Sequence, residues 1–532
     1  MKRINFLLVA LTVLLTASCW KGGGLLDQIP AEADLVLTGN VQTIIESAGG
    51  SLEDSRLKLP GWLLSELPGE VYDDIDGINE FLKKSGINTD NAAMFMDIKK
   101  EMTVIVFSLD DKKLFVKKIE DLGFREKDDE DGVVYYEKSD SRYWGDYIAV
   151  KGSYAYYIPE ADKDEKPVRF LEDAIEEAHD KSFAKTSWGA YIASGNAMGF
   201  ALNMTPFQRI MREEGMPAGL LSMYDGVLCM RGDLTRDKCL FDIKFYDENG
   251  KDKMASLYKD YMDVNASIDS KALSYLGEDE FMVYAASMKD VDWDRYADML
   301  LSGLSRSERA QANAVLGYLE KFNGTVAFGF GLAGGLDEIG EMASDEDKIL
   351  SNMSMTLVVE AKKGKAAQLL NDLKGFMEQA DVDFDDNASG FTVDMARNAG
   401  MDGTIYAKTI GDFIVMANHP IKEGGSNPVV KTTKMSNCLQ AFGIVLNKNN
   451  KLMRDLEMSD DIIFTTTCMP RSMDMAMTLE IPGGKDGFIA KAAKIVLGLA
   501  KQADKIEEAF DSGYGDYYDW DYDYDYDYDY DW

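Results

Sequence analysis

Ala93-Met94-Phe95-Met96-Asp97, a charged link through Lys99, Lys100 and Glu101, and then Thr103-Val104-Ile105-Val106-Phe107 form the stretch on which the fold turns. Two apolar runs flanking a short charged segment are the pattern of an antiparallel hairpin. Directly afterwards Phe115, Ile119 and Leu122 fall at i, i+4 and i+7, one face of a helix, and Gly123 stands where a helix end favours glycine. Residues 132–136, 147–150 and 154–158 then read as strands of a meander. Upstream, residues 35–37 read as a strand and 41–47 as a helix.

The same order returns in the second half of the chain. Glu280, Phe281, Met282 and Val283 echo Asp34, Leu35, Val36 and Leu37, and residues 325–330 and 355–359 repeat the hairpin with a longer link. Ala366, Leu370 and Leu373 repeat the helical face, and Gly375-Phe376 repeats Gly123-Phe124. Gly390 answers Gly132, Gly411 to Phe413 answer Gly152 to Tyr154, and Gly443 to Asn447 answer Gly199 to Asn203. Cys468-Met469 answers Cys229-Met230. The pairs keep one order at offsets of roughly 239 to 259 residues, as a duplicated unit with loop insertions should. Because the strands lie in hairpins and meanders, the expectation is an α+β fold. It consists of two tandem homologous units, residues 29–267 and 268–510, with mainly antiparallel sheets and helices packed on one face.

Outside these units lie two segments of different character. At the start, Lys2 and Arg3 precede an apolar stretch over residues 6–15, and Ala17 and Ser18 lead directly into Cys19. That is the pattern of a bacterial lipoprotein signal: residues 1–18 form the signal peptide, and Cys19 carries the lipid. The apolar stretch is well short of the roughly 20 residues a spanning helix needs. Residues 19–28, with three glycines in a row, read as a flexible lipid-anchored tether. At the other end, residues 511–532 alternate aspartate with tyrosine or tryptophan, carry no cationic residue, and read as a disordered acidic tail able to collect cations.

Composition narrows the partners. The 532 residues carry a formal net charge of −36, eight units of it on the aspartates from Asp516 to Asp531, so the body is acidic as well. Such a field repels nucleic acid, and no nucleic acid partner is expected. The membrane is met through the lipid on Cys19, and a protein or glycan partner fits the exported location: the cell envelope, anchored to the outer membrane, facing either the periplasm or the exterior. Four cysteines remain beyond Cys19, and Cys229 with Cys239 is a candidate disulfide for an oxidising compartment.

No coherent catalytic motif emerges, no metal site is expected, and no cofactor is expected. His179 and His419 are the two histidines, and both read as solvated, in a helix and a loop respectively. Gly329, Gly331 and Gly334 have the spacing of a dinucleotide-binding turn, but the chain beyond them is acidic where a helix should open on the pyrophosphate. Asp290, Asp292 and Asp294 open like a calcium loop, yet Arg295 and Leu301 occupy the positions that need glycine and glutamate. Arg231-Gly232-Asp233 would sit at a hairpin tip if Cys229 and Cys239 were bonded. A hydrolase using carboxylates alone is the remaining enzymatic alternative.

The aromatic content of the first meander is more suggestive. Tyr135, Tyr136, Tyr143, Trp144, Tyr147, Tyr154, Tyr156 and Tyr157 crowd it, and if they face solvent they can stack on sugar rings or a peptide. The leading expectation is therefore a non-enzymatic binding or scaffolding lipoprotein, with a surface glycan or peptide binder as the alternative. The signal, the tether, the Ile29-Pro30-Ala31-Glu32-Ala33-Asp34 opening and the two similar halves resemble an uncharacterised family of Bacteroidota lipoproteins, catalogued as a domain of unknown function. The resemblance implies an outer-membrane lipoprotein and carries no catalytic residues.

Overall fold

The computed structural model describes residues 24–53, 56–61, 79–81, 83–139, 143–213, 225–295, 319–332 and 334–502. The signal peptide, Cys19 and the acidic tail lie outside the described residues. Among the described residues, twenty strands form one sheet in which every pairing is antiparallel. The first ten are β1 (Leu35–Gly39), β2 (Ile87–Asp97), β3 (Met102–Leu109), β4 (Arg125–Glu130), β5 (Val133–Ser139), β6 (Trp144–Lys151), β7 (Tyr154–Asp162), β8 (Met198–Asn203), β9 (Val227–Leu234) and β10 (Lys238–Tyr246). The others are β11 (Met282–Ser287), β12 (Phe322–Leu332), β13 (Met353–Ala361), β14 (Asp385–Asn387), β15 (Gly390–Asp394), β16 (Thr404–Ile410), β17 (Phe413–Ala417), β18 (Gln440–Leu446), β19 (Ile462–Cys468) and β20 (Met475–Glu480).

Read across the sheet, the first run pairs in the order β4-β5-β6-β7-β3-β2-β1-β8-β9-β10. The second pairs in the order β14-β15-β16-β17-β13-β12-β11-β18-β19-β20. The two runs join where β10 pairs with β20, Lys238 opposite Glu480 and Ile243 opposite Met475. The outer strands β4 and β14 are short, fully exposed and rich in acidic residues, which discourages further strand addition at either edge.

The helices used below are α1 (Val41–Ser47), α2 (Lys112–Asp121), α3 (Pro167–Asp180), α4 (Ser187–Ile192), α5 (Leu336–Ser344), α6 (Ala366–Gln379), α7 (Pro428–Thr433) and α8 (Phe488–Lys501). They cover both faces of the sheet, which corrects the expectation of helices on one face. Val104 and Val106 of β3 pack with Phe170, Leu171 and Ile175 of α3. Ile105 and Phe107 of the same strand point the other way and pack with Phe115 and Ile119 of α2. In the second run Phe413 and Val415 face one cluster with Val429 of α7, while Ile414 faces another with Leu369 and Leu370 of α6. Since strand side chains alternate, an uninterrupted apolar strand needs cover on both sides.

The ends of the two runs of strands cross over. Ile481 and Phe488, beyond β20, share a cluster with Leu234 and Cys239 at the β9–β10 turn and with Ile44 of α1. Ala266, with Met254, Tyr258 and Met262 beyond β10, shares a cluster with Cys468 and Met473 at the β19–β20 turn. Each run thus covers the last hairpin of the other. Lys491 of α8, 5% exposed, locks this arrangement by donating to Asp237 at 2.5 Å and to the Ile481 carbonyl at 2.9 Å.

The expected tether also needs correction. Leu26 and Ile29 are buried, the segment Leu26–Gln28 forms a turn of 3-10 helix, and Gln28 Oε1 accepts from the Tyr156 hydroxyl at 2.9 Å. The folded body therefore begins before residue 28. Among the described residues, no helix is long and apolar enough to cross a membrane.

Candidate functional site

The chain immediately before β11 is drawn into the protein by an acidic side chain. Glu280 is fully buried; its Oε2 accepts from the Gly277 backbone N–H at 2.8 Å, and its Oε1 lies 3.4 Å from His419 Nε2. Asn427, which caps α7 through its Oδ1, turns its amide back to the Gly277 and Glu280 carbonyls at 2.6 and 2.9 Å. Burying a carboxylate is costly unless it is paired and hydrogen-bonded, and these contacts meet that need. Before β1, Asp34 takes the comparable place: its Oδ2 accepts from the Ile98 N–H at 3.0 Å and its Oδ1 from the Asn203 amide at 3.3 Å.

His419 is therefore half-buried rather than solvated. Its Nε2 also meets the Thr356 hydroxyl at 3.0 Å, while Nδ1 faces the Pro420 carbonyl at 3.5 Å. The Glu280 carboxylate holds the imidazole above its ordinary range; partial burial opposes that shift, and the Pro420 carbonyl and the Asp279 charge reinforce it. The hydroxyl and the carboxylate share one ring nitrogen. A base that activates a hydroxyl needs its orienting carboxylate on the opposite nitrogen, so this cluster is not built for nucleophilic relay.

Beside it opens a cavity of about 400 Å³, lined among others by Tyr275, Glu278, Asp279, Met353, His419 and Lys422. That volume is in the range of small-ligand sites. The hydroxyl of Tyr275 is buried and has no hydrogen-bond partner among the described residues. A smaller cavity of about 180 Å³ lies at the comparable place in the first run, with Pro30, Asp34, Lys99, Lys100, Phe170 and Glu177 in its wall.

The glycine triplet that mimics a dinucleotide turn has a different purpose. A Cβ on Gly329 would overlap the Glu280 carboxylate, and one on Gly331 would overlap the Asp279 carbonyl, so both admit the chain that carries the site. Asp292 accepts from the Arg295 backbone N–H at 3.0 Å as a helix start, and Arg295 donates to the Asp260 carbonyl, an arrangement with no calcium-loop character. His179 is exposed beside Asp180.

Three further expectations are corrected. The candidate ligand-facing aromatics do not form an exposed platform. Tyr135, Tyr147 and Tyr156 are buried on one face of the meander and Tyr136 and Tyr157 on the other, Tyr154 is partly buried against the first cluster, and Tyr143 and Trp144 at the β5–β6 turn are exposed. Burial pushes the Tyr135 and Tyr147 hydroxyls up to about 12. Cys229 and Cys239 are free, because Cys229 lies opposite Lys244 and Cys239 opposite Leu234, well apart along the hairpin. Arg231-Gly232-Asp233 lies inside β9 rather than at a tip, with Arg231 bonded to Asp242 and Asp233 accepting from the Asn196 N–H at 2.7 Å.

Sequence reasoning matched Glu280 to Asp34 as a mark of repetition and passed over its role, along with Thr356, Tyr275 and Asn427. An acidic residue placed directly before an apolar strand was the available signal.

No family model matches the chain, and no curated protein matches it. Solved structures of TP0453 are similar in part. Its crystal form IV shares 11% identity at a TM-score of 0.23, covering 42% of this chain and 79% of that one. Crystal form III shares 12% identity at a TM-score of 0.25, covering 46% and 88%. At these values the likeness carries no argument.

Proposed function

We propose that this chain is a lipid-anchored protein of the cell envelope, held at the outer membrane through Cys19, which binds a ligand without transforming it. The observation that carries the binding reading is the cavity beside Glu280 and His419, where a fully satisfied buried carboxylate fixes a histidine at the wall of a ligand-sized space. The sharing of one ring nitrogen by Glu280 and Thr356 favours binding over hydrolysis.

The body is read as two tandem homologous units, residues 29–267 and 268–510, joined edge to edge. Support comes from the identical pairing order of the two runs, from acidic residues held before β1 and β11, and from cavities at comparable places. Membership of the Bacteroidota lipoprotein family is proposed on the opening motif and the two similar halves.

Fractionating cells that express the wild type or Cys19→Ala tests the anchoring. The wild type should partition with membranes and detergent, and the variant should be recovered in the soluble fraction. Equal partitioning of both would reject lipidation at Cys19.

A further inference from the structure

We propose that the acidic tail, residues 511–532, folds back onto a lysine-rich surface formed by α2 and the segment before β2. In a chain of net charge −36 this surface is an exception. Lys112, Lys113 and Lys117 of α2 are exposed, and among the described residues none of them has an ion-pair partner. Lys83 and Lys84 join them from the segment before β2. The Gly86 carbonyl ties that segment to the start of α2 by accepting from the Asp110 and Asp111 backbone N–H groups at 2.9 and 3.1 Å. Lys118 completes the group, its ammonium 5.8 Å from the centre of the Phe81 ring. The neighbouring carboxylates are already engaged or lie at the margin. Glu80 is paired with Lys84, Asp110 accepts from the Asn88 amide, and Asp111 accepts from the Leu114 N–H as the cap of α2. Glu120 and Asp121 belong to the last turn of the helix.

The chemistry of the tail fits this surface. It carries nine aspartates and no cation, with tyrosine or tryptophan between them. Leu114, 38% exposed between Lys113 and Lys117, and the partly exposed Phe81 give the aromatic rings an apolar footing among the ammonium groups. The tail also leaves the body on the right side. Residues directly opposite one another in the sheet share a face, and Met94, Leu37, Phe200 and Met230 form such a row. Met94 packs in the cluster of Phe115 on α2, and Leu234, on the same side of β9 as Met230, packs with Phe488 of α8. The two helices therefore lie on one face. β3 under α2 and β9 under α8 are four strand spacings apart, roughly 19 Å. The 14 residues from Gln502 to Asp516 can span up to about 46 Å. Lys362, Lys363 and Lys365 before α6 are the comparable surface of the second run, with three lysines in place of six.

Coupling carboxylates to amines with a zero-length carbodiimide tests the contact in the full chain. Trypsin releases the tail as one peptide, residues 506–532, because no lysine or arginine follows Lys505. Mass spectra should join that peptide to Lys112, Lys113 or Lys117 well above other exposed lysines, and about 0.5 M salt should suppress the link. Chymotrypsin gives a second reading: Lys112→Glu, Lys113→Glu and Lys117→Glu combined should speed cleavage at the tail tyrosines about fivefold. The matching change of Lys362, Lys363 and Lys365 to glutamate should leave cleavage as in the wild type. Links spread evenly over the exposed lysines, or centred on Lys362 to Lys365, with equal cleavage in both variants, would overturn the proposal. In a mixture of ¹⁴N- and ¹⁵N-labelled protein the links should stay within one isotope; mixed pairs would seat the tail on a second copy and overturn the fold-back. In a Cys19→Ala background, loss of binding to phosphatidylglycerol vesicles in the α2 variant with unchanged tail cleavage would assign the surface to an anionic membrane instead, and the proposal would fail.

Discussion

Gly329 and Glu280 share one volume: the carboxylate of Glu280 fills the space that a side chain on Gly329 would need. A buried ion cannot step aside into solvent, so the strain of a methyl group here has no cheap relief. Gly329→Ala should lower unfolding free energy by about 2 to 3 kcal/mol. Gly375→Ala is the contrasting case, since its Cβ would meet nothing within 4 Å and α6 continues through it. That change should be neutral or stabilising by up to about 1 kcal/mol. Urea unfolding of both variants checks the pair, and equal losses would contradict the assignment.

His419 gives the fold a pH dependence of definite sign. Its folded-state pKa is raised by Glu280, so the stability it contributes is fully present below the unfolded value of about 6.5 and is lost as pH rises through the folded value. His419→Gln should therefore cost more at about pH 5.5 than at about pH 9. Unfolding curves of the two proteins at both pH values test this, and an equal cost would refute it. In protein labelled with ¹⁵N-histidine, Glu280→Gln should bring the His419 titration down toward the ordinary histidine range.

Lys491 fastens α8 to the opposite run. Its ammonium is nearly enclosed, with Asp237 and the Ile481 carbonyl as partners. Asp237 remains 42% exposed, so only the lysine end pays the full cost of burial. Lys491→Ala should destabilise by about 2 kcal/mol. Protease cleavage should appear first in α8, and an unchanged cleavage pattern would mean that α8 is held by its apolar contacts alone.

Four thiols should be silent in the native protein. Cys229, Cys239, Cys438 and Cys468 are buried and free, and burial raises each of their pKa values, Cys239 and Cys468 up to about 11. A thiol reagent at neutral pH should react slowly until denaturant is added, and then label all four. Prompt labelling under native conditions would contradict their placement.

Much of the secondary structure was legible because it rests on local chemistry. Residues 41–47 fold as the helix they suggest, and Gly123 takes φ +94° at the end of α2, a conformation that only glycine adopts without cost. Long-range pairing was less legible. Cys229 lies opposite Ala201 and Cys468 opposite Gln440, on opposite sides of the Gly199 and Gly443 positions, so that sequence match was fortuitous. Gly375 resembles Gly123 in sequence but sits inside α6, whose turn out comes later, at Asp381 with φ +58°. The aromatic meander misled because alternation along a strand does not reveal whether the second face is wet or covered; α2 covers it. The candidate site joins Glu280, Thr356 and His419 from three distant segments, and only the sheet brings them together.

The binding claim is tested most directly by a photo-reactive amino acid placed in cells at Lys422, on the cavity wall, and in parallel at Lys127 on the outer strand β4. Illumination followed by intact-mass analysis should give a discrete mass-shifted species from position 422 and none from position 127. Equal labelling at both positions, or no adduct at 422 under any growth condition, would contradict a ligand in the cavity beside Glu280.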